Sequence, residues 1–407
     1  MVIYGLYKPR LMESMVLDWL HRDYSIVLVG PRQAGKTTLV KHLAESTGGL
    51  YLTLDDPDVL QALNDVKAFL EIYFSGRRDR LVLYLDEAQY DPGIGRKLKY
   101  LHDVAGIRFV ATGSGSFDVK VRVTGELVGR VARLVLLPLN FHEYVEWRMP
   151  ELAKVHKRLM DETLRILRGE GGNYNPVDYP DLRRLWMEYV VYGGYPKVVL
   201  EDDAGVREEL LRQIVVSYID RDVMGFLGVR EHVKFRRTLL ALAQLAGGIM
   251  KKKTVQEVAG VSFQTLESYL SLLEETYIVF TVPRHPGGLG GLRKQPKIYF
   301  YDNGLLNALL GDFKPFNTRL DTGRLLESYV ARHLKQYFDR LTYWKTKGGG
   351  EVDFIVNNVP VEAKMTPRPA KAMRYAAEKL GSPYKVVVTP GRSGLEGDVY
   401  YVKPWHL

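Results

Sequence analysis

The segment that most constrains this chain is SIVLVGPRQAGKTTL, residues 25–39. Residues 26–29 are four consecutive apolar residues, which is typical of a short buried strand, and the pattern G-x-x-x-x-G-K-[ST] follows them directly. In such a segment the backbone N–H groups of the loop and of the next helix point into one anion-sized hole. The strand–loop–helix context makes an ordinary glycine-rich turn the weaker alternative. The segment therefore predicts a binding site for a nucleoside triphosphate.

The residue types in this loop match the chemistry of a bound triphosphate. Gly30 and Gly35 allow backbone conformations that a side chain would hinder. Lys36 is expected to reach the β- and γ-phosphates, and the hydroxyl of Thr37 is expected to bind Mg²⁺. The predicted nucleotide-binding residues of the loop are Gly30, Pro31, Arg32, Gln33, Ala34, Gly35, Lys36, Thr37 and Thr38. The phosphate pattern alone does not distinguish adenine from guanine.

A second apolar run, residues 81–85, leads directly into Asp86 and Glu87. A buried strand that delivers two carboxylates at its carboxyl end is typical of the Walker B element of P-loop NTPases. We expect Asp86 to hold Mg²⁺, directly or through water, and Glu87 to polarise the attacking water as a catalytic residue. The alternative, two solvated acids at the end of a strand, is disfavoured by the phosphate-binding loop upstream.

A further predicted strand, residues 108–111, ends in the polar segment Thr112-Gly113-Ser114. Ligands of a doubly wound sheet bind outside the carboxyl ends of its strands, so these hydroxyls would lie beside the two carboxylates. Thr112 and Ser114 are therefore candidate nucleotide-binding residues that sense the γ-phosphate.

An arginine near the γ-phosphate would neutralise charge that develops during hydrolysis. Arg130, which precedes an apolar strand predicted at residues 131–137, is our first candidate for this catalytic role, and Arg221 and Arg133 are the alternatives. For any one of the three, a solvated surface is at least as compatible with the sequence. An arginine supplied by a neighbouring subunit would require a homo-oligomer.

The composition limits the class of protein and its partners. The 407 residues include no cysteine, which excludes disulfides and thiolate zinc sites. No apolar run approaches the roughly 20 residues that span a bilayer, and no secretory signal pattern is seen, so we expect a cytoplasmic chain without a membrane partner. The net charge of +9 suggests a polyanionic partner, and residues 231–300 hold ten Lys and Arg against five Asp and Glu.

Helical patterns fill the regions between these motifs. Residues 59–74 predict one crossover helix, because apolar residues recur at helical spacing. Residues 183–192 predict a helix that stops at the turn GGYP, and residues 208–223 predict a second helix. The last two helices are consistent with a lid over the nucleotide.

Residues 231–282 carry a helix-turn-helix pattern, with its two helices within residues 254–273. A short helix is followed by a turn at Gly260 and by a second helix that Ser262 would cap. Leu266, Leu270 and Leu273 would form the buried stripe of this second helix. Strands predicted at residues 277–282 and 297–301 would form a wing after it.

The side chains expected to contact nucleic acid lie on and around the second helix. Its outward face would present hydrogen-bonding groups to base edges, and cations before the first helix and in the wing loop would contact phosphates. The predicted contacts are Lys251, Lys252, Lys253, Gln264, Thr265, Ser268, Arg293 and Lys294. Such segments also serve as lids or protein-binding modules, and a run of three lysines is usually a solvated surface. The basic surplus favours DNA as the partner.

The last hundred residues bring charged side chains to one face of a predicted hairpin. The segments are a helix at residues 322–337 and strands at residues 341–344, 351–356 and 359–364. Alternation along the strands places Glu362 and Lys364 on one face, beside Asp353 if the last two strands pair. As a bare pattern this is weak, because charged residues alternate on any exposed strand.

Several segments spread over nearly the whole chain carry a family resemblance: GPRQAGKTTL, LYLDEAQ, ATGSGS, GELVGRVARLVLLPLNFHEY, YGGYPKVV, PKIYFYDNGL, LLESYV and EVDFIV with PVEAK. Together they resemble the AAA-family ATPases of archaea and bacteria that carry a C-terminal domain of unknown function, DUF4143. The resemblance implies an α/β chain with an ASCE-type P-loop NTPase domain built on a doubly wound parallel sheet. It also implies a helical lid, a winged-helix segment, a restriction-endonuclease-like C-terminal α/β domain, and ATP as the nucleotide.

The resemblance suggests where the domains lie. We expect a P-loop ATPase domain at residues 1–148, a helical lid or linker at 149–230, a winged helix-turn-helix at 231–300 and a restriction-endonuclease-like domain at 301–407. The chain departs from the compact family pattern at residues 150–180, which contain a charged, glycine-containing stretch at 168–172. We expect a loop insertion there, without chemistry.

The C-terminal spacing resembles the PD-(D/E)xK nuclease core. By that resemblance Asp353 and Glu362 would bind Mg²⁺, Lys364 would position or activate a water as the catalytic residue, and Glu327 would match the acid on the helix. Two oxygen ligands would leave Mg²⁺ with water sites, and a nearby cation would stabilise the reacting phosphate. A structural or DNA-holding remnant of such a site is the alternative.

These observations predict an ATP-hydrolysing protein that binds DNA and has a nuclease-like C-terminal domain. The alternative is a nucleotide-dependent switch or scaffold whose winged helix and C-terminal domain bind protein and do not cut DNA. DNA-stimulated ATP turnover would favour the first function, and slow turnover that DNA leaves unchanged would favour the second.

Overall fold

A computed structural model of the chain describes residues 7–75, 81–113, 127, 129, 131–219, 223, 231–285, 294–346 and 348–407. The chain divides into two units. The first contains Met1–Pro138, Asp220–Gly228 and Glu275–Tyr277, and the second contains Leu139–Ile219, Val229–Glu274 and Ile278–Leu407. Among the described residues, no helix is both long enough and apolar enough to cross a membrane. The four domains predicted from the sequence remain a prediction.

The first unit alternates helices with the strands of one parallel sheet. Its elements are α1 (Leu11–His21), β1 (Ser25–Val29), α2 (Lys36–Thr47), β2 (Leu50–Thr53), α3 (Pro57–Ala62), α4 (Val66–Phe74), β3 (Leu83–Asp86), α5 (Ile94–Asp103), β4 (Phe109–Thr112) and β5 (Val131–Val135). The strand order is β2-β3-β4-β1-β5, and all neighbouring strands run parallel. The predicted parallel sheet is therefore confirmed.

The middle of this sheet is made of apolar strands that are buried along their whole length. Strands β1, β3 and β4 expose almost nothing to solvent. Such strands are typical of a parallel sheet covered on both faces, and α1 and α2 pack against this one through Val16, Leu39 and Leu43. Because β4 pairs with both β1 and β3, the residues at the carboxyl ends of these three strands meet at one edge.

The prediction of a single helix at residues 59–74 is wrong. The chain forms two helices there, α3 and α4, with a break between them. Asp65 ends the break by accepting hydrogen bonds from the N–H groups of Lys67 at 2.9 Å and Ala68 at 3.2 Å. An aspartate that caps a new helix in this way outweighs the continuous apolar spacing, because the cap satisfies N–H groups that the helix itself leaves free.

The second unit begins with helices and ends with a mixed sheet. Its helices are α6 (Phe141–Arg148), α7 (Ala153–Leu167), α8 (Pro180–Tyr192), α9 (Pro196–Val199), α10 (Ala204–Ser217), α11 (His232–Leu245), α12 (Lys252–Ala259), α13 (Phe263–Glu275), α14 (Asn303–Leu310), α15 (Thr322–Tyr337) and α16 (Lys371–Leu380). Its strands are β6 (Val279–Val282), β7 (Lys297–Phe300), β8 (Thr342–Lys345), β9 (Glu351–Val356), β10 (Val359–Ala363), β11 (Lys385–Val388), β12 (Gly394–Glu396) and β13 (Val399–Val402).

The strands of the second unit form a hairpin and one larger sheet. Strands β6 and β7 pair antiparallel, with Val279 opposite Phe300. The larger sheet has the order β12-β13-β11-β10-β9-β8, and β9 and β10 form the hairpin predicted from the sequence. The residues after β6 run beside β8, since the N–H of His285 donates to the carbonyl of Tyr343 at 2.7 Å. The first hairpin is therefore joined to the edge of the larger sheet.

The loop insertion expected at residues 150–180 is only partly present. Most of this region is the helix α7, which buries an apolar face that includes Leu159 and Leu164. The glycine-containing stretch after it is a loop that lies on the C-terminal sheet. There the N–H of Gly172 donates to the hydroxyl of Tyr400 at 3.0 Å, and that hydroxyl donates to the Gly172 carbonyl at 2.6 Å. Amphipathic spacing in residues 153–167 was the signal for the helix.

A buried aspartate explains two glycine-containing motifs of the second unit. Asp302 accepts hydrogen bonds from the N–H of Gly194 at 2.7 Å and from the N–H of Leu305 at 2.9 Å, so it fixes the turn after α8 and caps α14. A Cβ atom at Gly194 would lie 2.1 Å from the carbonyl oxygen of Leu139. Burial raises the pKa of Asp302 to about 6, although its hydrogen bonds to backbone N–H groups oppose the rise. The segments YGGYP and YDNGL are thus in contact, and Asp302 hydrogen bonds to both.

The core of the second unit contains a cluster of buried histidines: His142, His156, His333 and His406. The Nδ1 atoms of His142 and His156 are 3.0 Å apart, and the Tyr174 hydroxyl lies 2.8 Å from Nδ1 of His406. Burial lowers the pKa of each histidine, to about 3 for His333, where the charge of Arg332 also contributes, and to about 4 for His406. Folding therefore holds these rings in the neutral form.

This cluster predicts that stability falls in acid. Below about pH 6.5 the unfolded chain binds a proton at His333 that the folded chain excludes. The contribution of His333 to the free energy of unfolding is therefore complete above pH 6.5 and is lost as the pH falls toward 3. In His333→Phe, the slope of the unfolding free energy against pH between pH 4 and 6 should be smaller by about 1 kcal/mol per pH unit. Urea unfolding followed by tryptophan fluorescence measures this slope.

The matched control is His232→Phe, because His232 is an exposed histidine at the start of α11. This variant should keep the slope of the wild type. An unchanged slope in His333→Phe would show that the buried ring does not exclude a proton in the folded chain.

Candidate functional site

The phosphate-binding loop is pressed against the main chain that follows β5. Gly30 has a φ of +148°, and a Cβ atom at this position would lie 2.1 Å from the carbonyl oxygen of Leu136. The N–H of Leu136 donates to the carbonyl of Val29 at 2.8 Å, so the two segments are already hydrogen bonded there. Only glycine fits at residue 30. Gly35, with a φ of +99°, ends the loop, and α2 begins at Lys36.

Lys36 lies beneath the loop and is buried. Its Nζ donates to the carbonyl oxygens of Gly30 at 3.0 Å and Pro31 at 2.9 Å. Both acceptors are neutral, so a charged phosphate oxygen would be a stronger partner for this ammonium group. Thr37 is half-buried on the first turn of α2, where backbone N–H groups lack partners within the helix. The remaining predicted loop residues are Ala34, which is buried, Arg32, which is half-buried, and Gln33 and Thr38, which are exposed.

Arg10 holds the other side of the loop, a contact that no sequence motif indicates. Its guanidinium donates to the carbonyl of Ala34 at 2.8 Å and to the carbonyl of Leu137 at 2.8 Å. One buried side chain thus ties the loop to the segment after β5. Arg10 lies 24 residues before Ala34 and outside any recognisable motif, so only its position before α1 was visible in the sequence.

Asp86 is held from two sides at the carboxyl end of β3. The Tyr51 hydroxyl donates to Oδ2 of Asp86 at 3.1 Å, and the Thr112 hydroxyl donates to Oδ1. Thr112 also accepts the N–H of Glu87 at 3.4 Å. The structure therefore brings Asp86, Glu87 and Thr112 together, and Thr112 orients the Asp86 carboxylate and the main chain of Glu87. Burial and the charge of Asp86 raise the pKa of Tyr51, which keeps its hydroxyl a donor.

Glu87 is held in a backbone conformation that non-glycine residues rarely adopt. Its φ is +56°, which costs on the order of 1 kcal/mol, and such strain is typical of functional sites. Burial and the neighbouring Asp86 raise the pKa of Glu87, whereas the nearby Lys36 charge opposes this shift. The Gln89 side-chain amide donates to the Glu87 carboxylate. The carboxylate that sequence motifs assign to catalysis thus accepts a hydrogen bond from Gln89 and stands on a constrained main chain.

The donors at this edge fit a magnesium–triphosphate group. The loop turns at Gly30, where only glycine fits, α2 begins after Gly35, and Lys36 supplies a positive charge. Such a loop at a helix N-terminus is suited to phosphate oxygens. The Thr37 hydroxyl and the Asp86 carboxylate are oxygen ligands of the kind that Mg²⁺ prefers.

Some predicted residues of this site lie outside the described residues, namely Ser114, Arg130 and Arg221. Arg133, one of the alternatives for the catalytic arginine, donates a hydrogen bond to the Tyr277 hydroxyl, and its guanidinium carbon lies 5.9 Å from the centre of that ring. The assignment of Arg130 as the catalytic arginine remains a prediction.

In the second unit, α12 and α13 are joined by the predicted turn. Gly260 has a φ of +67°, and the N–H of Thr265 donates to the Ser262 hydroxyl at 3.1 Å, so Ser262 caps α13. Of the side chains predicted to contact nucleic acid, Gln264 and Ser268 are exposed and Thr265 is half-buried. The buried face of α13 contains Leu266, Leu270 and Leu273, as predicted.

The predicted cations around these helices differ in their surroundings. Lys251 and Lys294 are exposed. Lys252 is 2.7 Å from Glu267, and Lys253 is 3.9 Å from Glu257, so acids on the same two helices partly offset their charge. Arg293 lies outside the described residues.

Two of the three predicted C-terminal carboxylates, Glu327 and Asp353, lie with Glu351 around a lysine of the predicted wing strand. Nζ of Lys297 lies 2.8 Å from Glu327, 2.7 Å from Glu351 and 3.2 Å from Asp353. Burial alone would lower the pKa of Lys297, but these three carboxylates raise it and keep the ammonium charged. Burial and the charge of Asp353 raise the pKa of Glu327, and Lys297 opposes that rise.

The other two predicted residues of this cluster pair with each other. Nζ of Lys364 lies 3.1 Å from Oε2 of Glu362, which also accepts the N–H of Ala370 at 3.0 Å. Oδ2 of Asp353 accepts the N–H of Ala363 at 3.1 Å, so the helix acid, both strands and the two lysines meet at one place. Across the described ranges, no group of three or more acidic or histidine side chains is arranged to hold a metal ion.

Three family models match the chain. An AAA domain model matches residues 22–145, which include the phosphate-binding loop and both carboxylates of β3. A domain of unknown function, DUF4143, matches residues 322–407, and another, DUF8612, matches residues 183–315. The resemblance to an AAA domain and to DUF4143 is therefore confirmed, whereas the restriction-endonuclease-like character of the last domain remains a prediction.

The chain is also similar to whole proteins from archaea and bacteria. The uncharacterized protein MJ1544 of Methanocaldococcus jannaschii is 24% identical over 382 residues, or 86% of this chain and 79% of that protein. The uncharacterized protein Rv2008c of Mycobacterium tuberculosis is 27% identical over 390 residues, or 91% of this chain and 78% of that protein.

Solved structures of ATPases are similar at a lower level. The Walker-type ATPase PABY2304 of Pyrococcus abyssi gives a TM-score of 0.49 and 14% identity, over 75% of this chain and 96% of that chain. The ORC1 protein of Aeropyrum pernix, solved in complex with DNA, gives a TM-score of 0.31 and 16% identity, over 76% of this chain and 95% of that chain. Similarity at these scores supports no conclusion about function.

The two hydrogen bonds of Arg10 to the carbonyls of Ala34 and Leu137 predict that its removal weakens nucleotide binding, although Arg10 holds the loop from its other side. Arg10→Leu removes two hydrogen bonds that hold the loop, so a fluorescent ATP analogue should bind roughly fivefold more weakly, about 1 kcal/mol. Fluorescence titration measures the affinity, and a thermal melt checks the fold. Arg22→Leu, which replaces an exposed arginine after α1, should bind as the wild type does. Wild-type affinity in Arg10→Leu would show that these hydrogen bonds do not position the loop.

Proposed function

We propose that this chain hydrolyses ATP at the edge of its parallel sheet. The observation that carries the proposal is the meeting of Lys36, Asp86 and Glu87 at the carboxyl ends of β1 and β3, where the Thr112 hydroxyl of β4 donates to the Asp86 carboxylate and accepts the backbone N–H of Glu87. A triphosphate cradle, a ligand for Mg²⁺ and an acid that can polarise water are the parts that phosphoryl transfer to water requires. The match of an AAA domain model to residues 22–145 supports the same function.

Each residue of this edge has a separate task in the proposed reaction. The loop amides and Lys36 bind the β- and γ-phosphates, and Lys36 exchanges its two carbonyl partners for phosphate oxygens. Thr37 and Asp86 hold Mg²⁺, which when bound offsets negative charge on the phosphate oxygens. Tyr51 and Thr112 keep the Asp86 carboxylate in one orientation.

Glu87 acts on the attacking water in this proposal. Burial and its strained backbone fix the carboxylate at the end of β3, and Gln89 holds it from the side. A positioned carboxylate accepts a proton from water as the water attacks, and this contribution is typically on the order of 100-fold or more. Arg130 is proposed as the arginine that neutralises charge at the γ-phosphate, and a homo-oligomer follows if it acts on a neighbouring subunit.

Phosphate release from ATP tests this function. Lys36→Ala should lose nucleotide binding and turnover together, because it removes the charge beneath the loop. Glu87→Gln should bind nucleotide as the wild type does and release phosphate at least about 100-fold more slowly. Lys99→Ala, an exposed lysine on α5, is the control and should behave as wild type. Wild-type turnover in Glu87→Gln would refute the role of this residue.

We propose further that the second unit binds DNA through α12 and α13. Helices α11, α12 and α13 are followed by the hairpin β6–β7, and Ile249 pairs with the first residue of β7, which is the element order of a winged helix. Gln264 and Ser268 are exposed on α13, where a recognition helix would face base edges. This arrangement supports entry of α13 into the major groove.

The charge available for phosphate contacts is smaller than the sequence suggests. Of the ten cations in residues 231–300, Lys297 is buried among carboxylates, and three more lie within 4 Å of acids: Lys234, Lys252 and Lys253. Among the described residues of this range, the exposed cations that form no ion pair are Arg236, Arg237, Lys251 and Lys294. Binding should therefore depend on a few phosphate contacts.

The salt dependence of DNA binding tests this interface. Lys251→Ala should reduce the slope of log affinity against log salt concentration by about 1, because one phosphate contact is lost. Fluorescence anisotropy with labelled duplex, single-stranded and branched DNA measures the slope. Lys154→Ala, an exposed lysine on α7, should leave it unchanged. Equal slopes in wild type and Lys251→Ala would place any DNA contact elsewhere.

A second candidate function is a nucleotide-dependent switch or scaffold that binds protein. Val258 is 59% exposed and Phe263 is 54% exposed, and both belong to the same helix pair. Exposed apolar side chains of this size suit a protein partner better than a phosphate backbone. Absence of DNA binding at every salt concentration, together with ATP turnover that DNA does not change, would favour this function over the first.

A further inference from the structure

Lys297 is the feature of the second unit that the proposed functions leave unexplained. It is the first residue of β7, its side chain is 1% exposed, and it points into the predicted nuclease-like site. A lysine is rarely buried to this degree, because removing an ammonium group from water costs several kcal/mol. The ammonium group of Lys297 therefore needs negatively charged partners that offset this cost.

The partners are carboxylates that come from two other elements. Nζ lies 2.8 Å from Glu327 on α15, and 2.7 Å from Glu351 and 3.2 Å from Asp353 on β9. An ammonium group has three N–H donors, and three carboxylates surround this one. The end of Lys297 is thus the point at which the acidic side chains converge.

These acids also have further partners. The Tyr299 hydroxyl donates to Oε1 of Glu327 at 2.6 Å, the same oxygen that faces Lys297. The second oxygens of the other two acids are engaged, since Oδ2 of Asp353 accepts a backbone N–H at 3.1 Å and Oε2 of Glu351 lies 3.7 Å from Lys345. Glu362, the remaining predicted ligand, bonds to Lys364 at 3.1 Å. Four carboxylates thus face three lysines, so most of the negative charge that would attract a metal is already offset.

A divalent metal does not fit this arrangement. Mg²⁺ requires oxygen ligands at about 2.0–2.1 Å that converge on one point. Here that point is occupied by Nζ of Lys297, and two cations cannot share it because their charges repel at short range in a buried site. No metal-holding group of side chains is present in the described residues, in agreement with this conclusion.

We propose that Lys297 is the resident cation of this site, so that the C-terminal domain binds no divalent metal there and does not cut DNA. The ammonium group takes the place of the metal among Glu327, Glu351 and Asp353. Its ion pairs also connect β7 with α15 and β9, so they link the β6–β7 hairpin to the C-terminal sheet. The inference is independent of the proposed ATP hydrolysis and DNA binding.

Manganese binding to the full chain without nucleotide tests the proposal. Because Asp86 offers a separate carboxylate, the informative quantity is the part of the binding that depends on Asp353. Wild type and Asp353→Asn should bind the same number of Mn²⁺ ions in a calorimetric titration. Lys297→Met should bind one more Mn²⁺ ion than wild type, and Lys297→Met with Asp353→Asn should lose it again.

Lys345→Met is the matched control, because it removes a lysine from the edge of the same cluster and should add no Mn²⁺ ion. Mn²⁺ should raise the melting temperature of Lys297→Met more than that of the wild type. A folded Lys297→Met that gains no Mn²⁺ ion would contradict the claim that the lysine occupies the metal position.

Nuclease assays complete the test without a destabilised variant. Labelled duplex, single-stranded and branched DNA, incubated with Mg²⁺ or Mn²⁺ and with or without ATP, should show no cleavage that differs between wild type and Asp353→Asn. Cleavage or Mn²⁺ binding by the wild type that Asp353→Asn and Glu327→Gln both abolish would overturn the proposal.

Discussion

The close approach of Gly30 to the main chain after β5 is the constraint on which the candidate ATP site depends. A Cβ atom there would lie 2.1 Å from the Leu136 carbonyl oxygen, so the loop can turn at this place only with glycine. Arg10 adds hydrogen bonds from the loop to the same segment. The loop is therefore fixed to the sheet before any ligand binds, and the start of α2 faces the carboxyl ends of β3 and β4.

Two buried lysines show why one site suits a ligand and the other does not. Lys36 donates to neutral carbonyl oxygens, which a charged phosphate can replace at little cost. Lys297 is surrounded by three carboxylates, and removing it would leave buried negative charge without a partner. In the proposed roles, the same residue type serves as an exchangeable phosphate contact in the first unit and as a permanent counter-ion in the second.

The sequence predicts the parallel sheet and its edge well, because continuous apolar runs and the phosphate-binding pattern are local signals. It places Asp86 and Glu87 at the end of a strand and Lys36 at the start of a helix, as the structure does, but it cannot reveal Arg10 or Tyr51, whose contacts join segments far apart in the chain. It also predicts the β9–β10 hairpin that carries Asp353 and Glu362. It does not predict the role of Lys297, because its acidic partners are far away in the sequence and such contacts produce no local or periodic pattern.

The central claim is that Glu87 at the sheet edge promotes attack of water on bound ATP. A single-turnover experiment, with enzyme in excess over labelled ATP, measures the chemical step apart from product release. The wild type should convert its bound ATP to ADP and phosphate, whereas Glu87→Gln should hold ATP at equal occupancy and convert it at least about 100-fold more slowly. Equal single-turnover rates in the two proteins would show that Glu87 does not promote the attack of water.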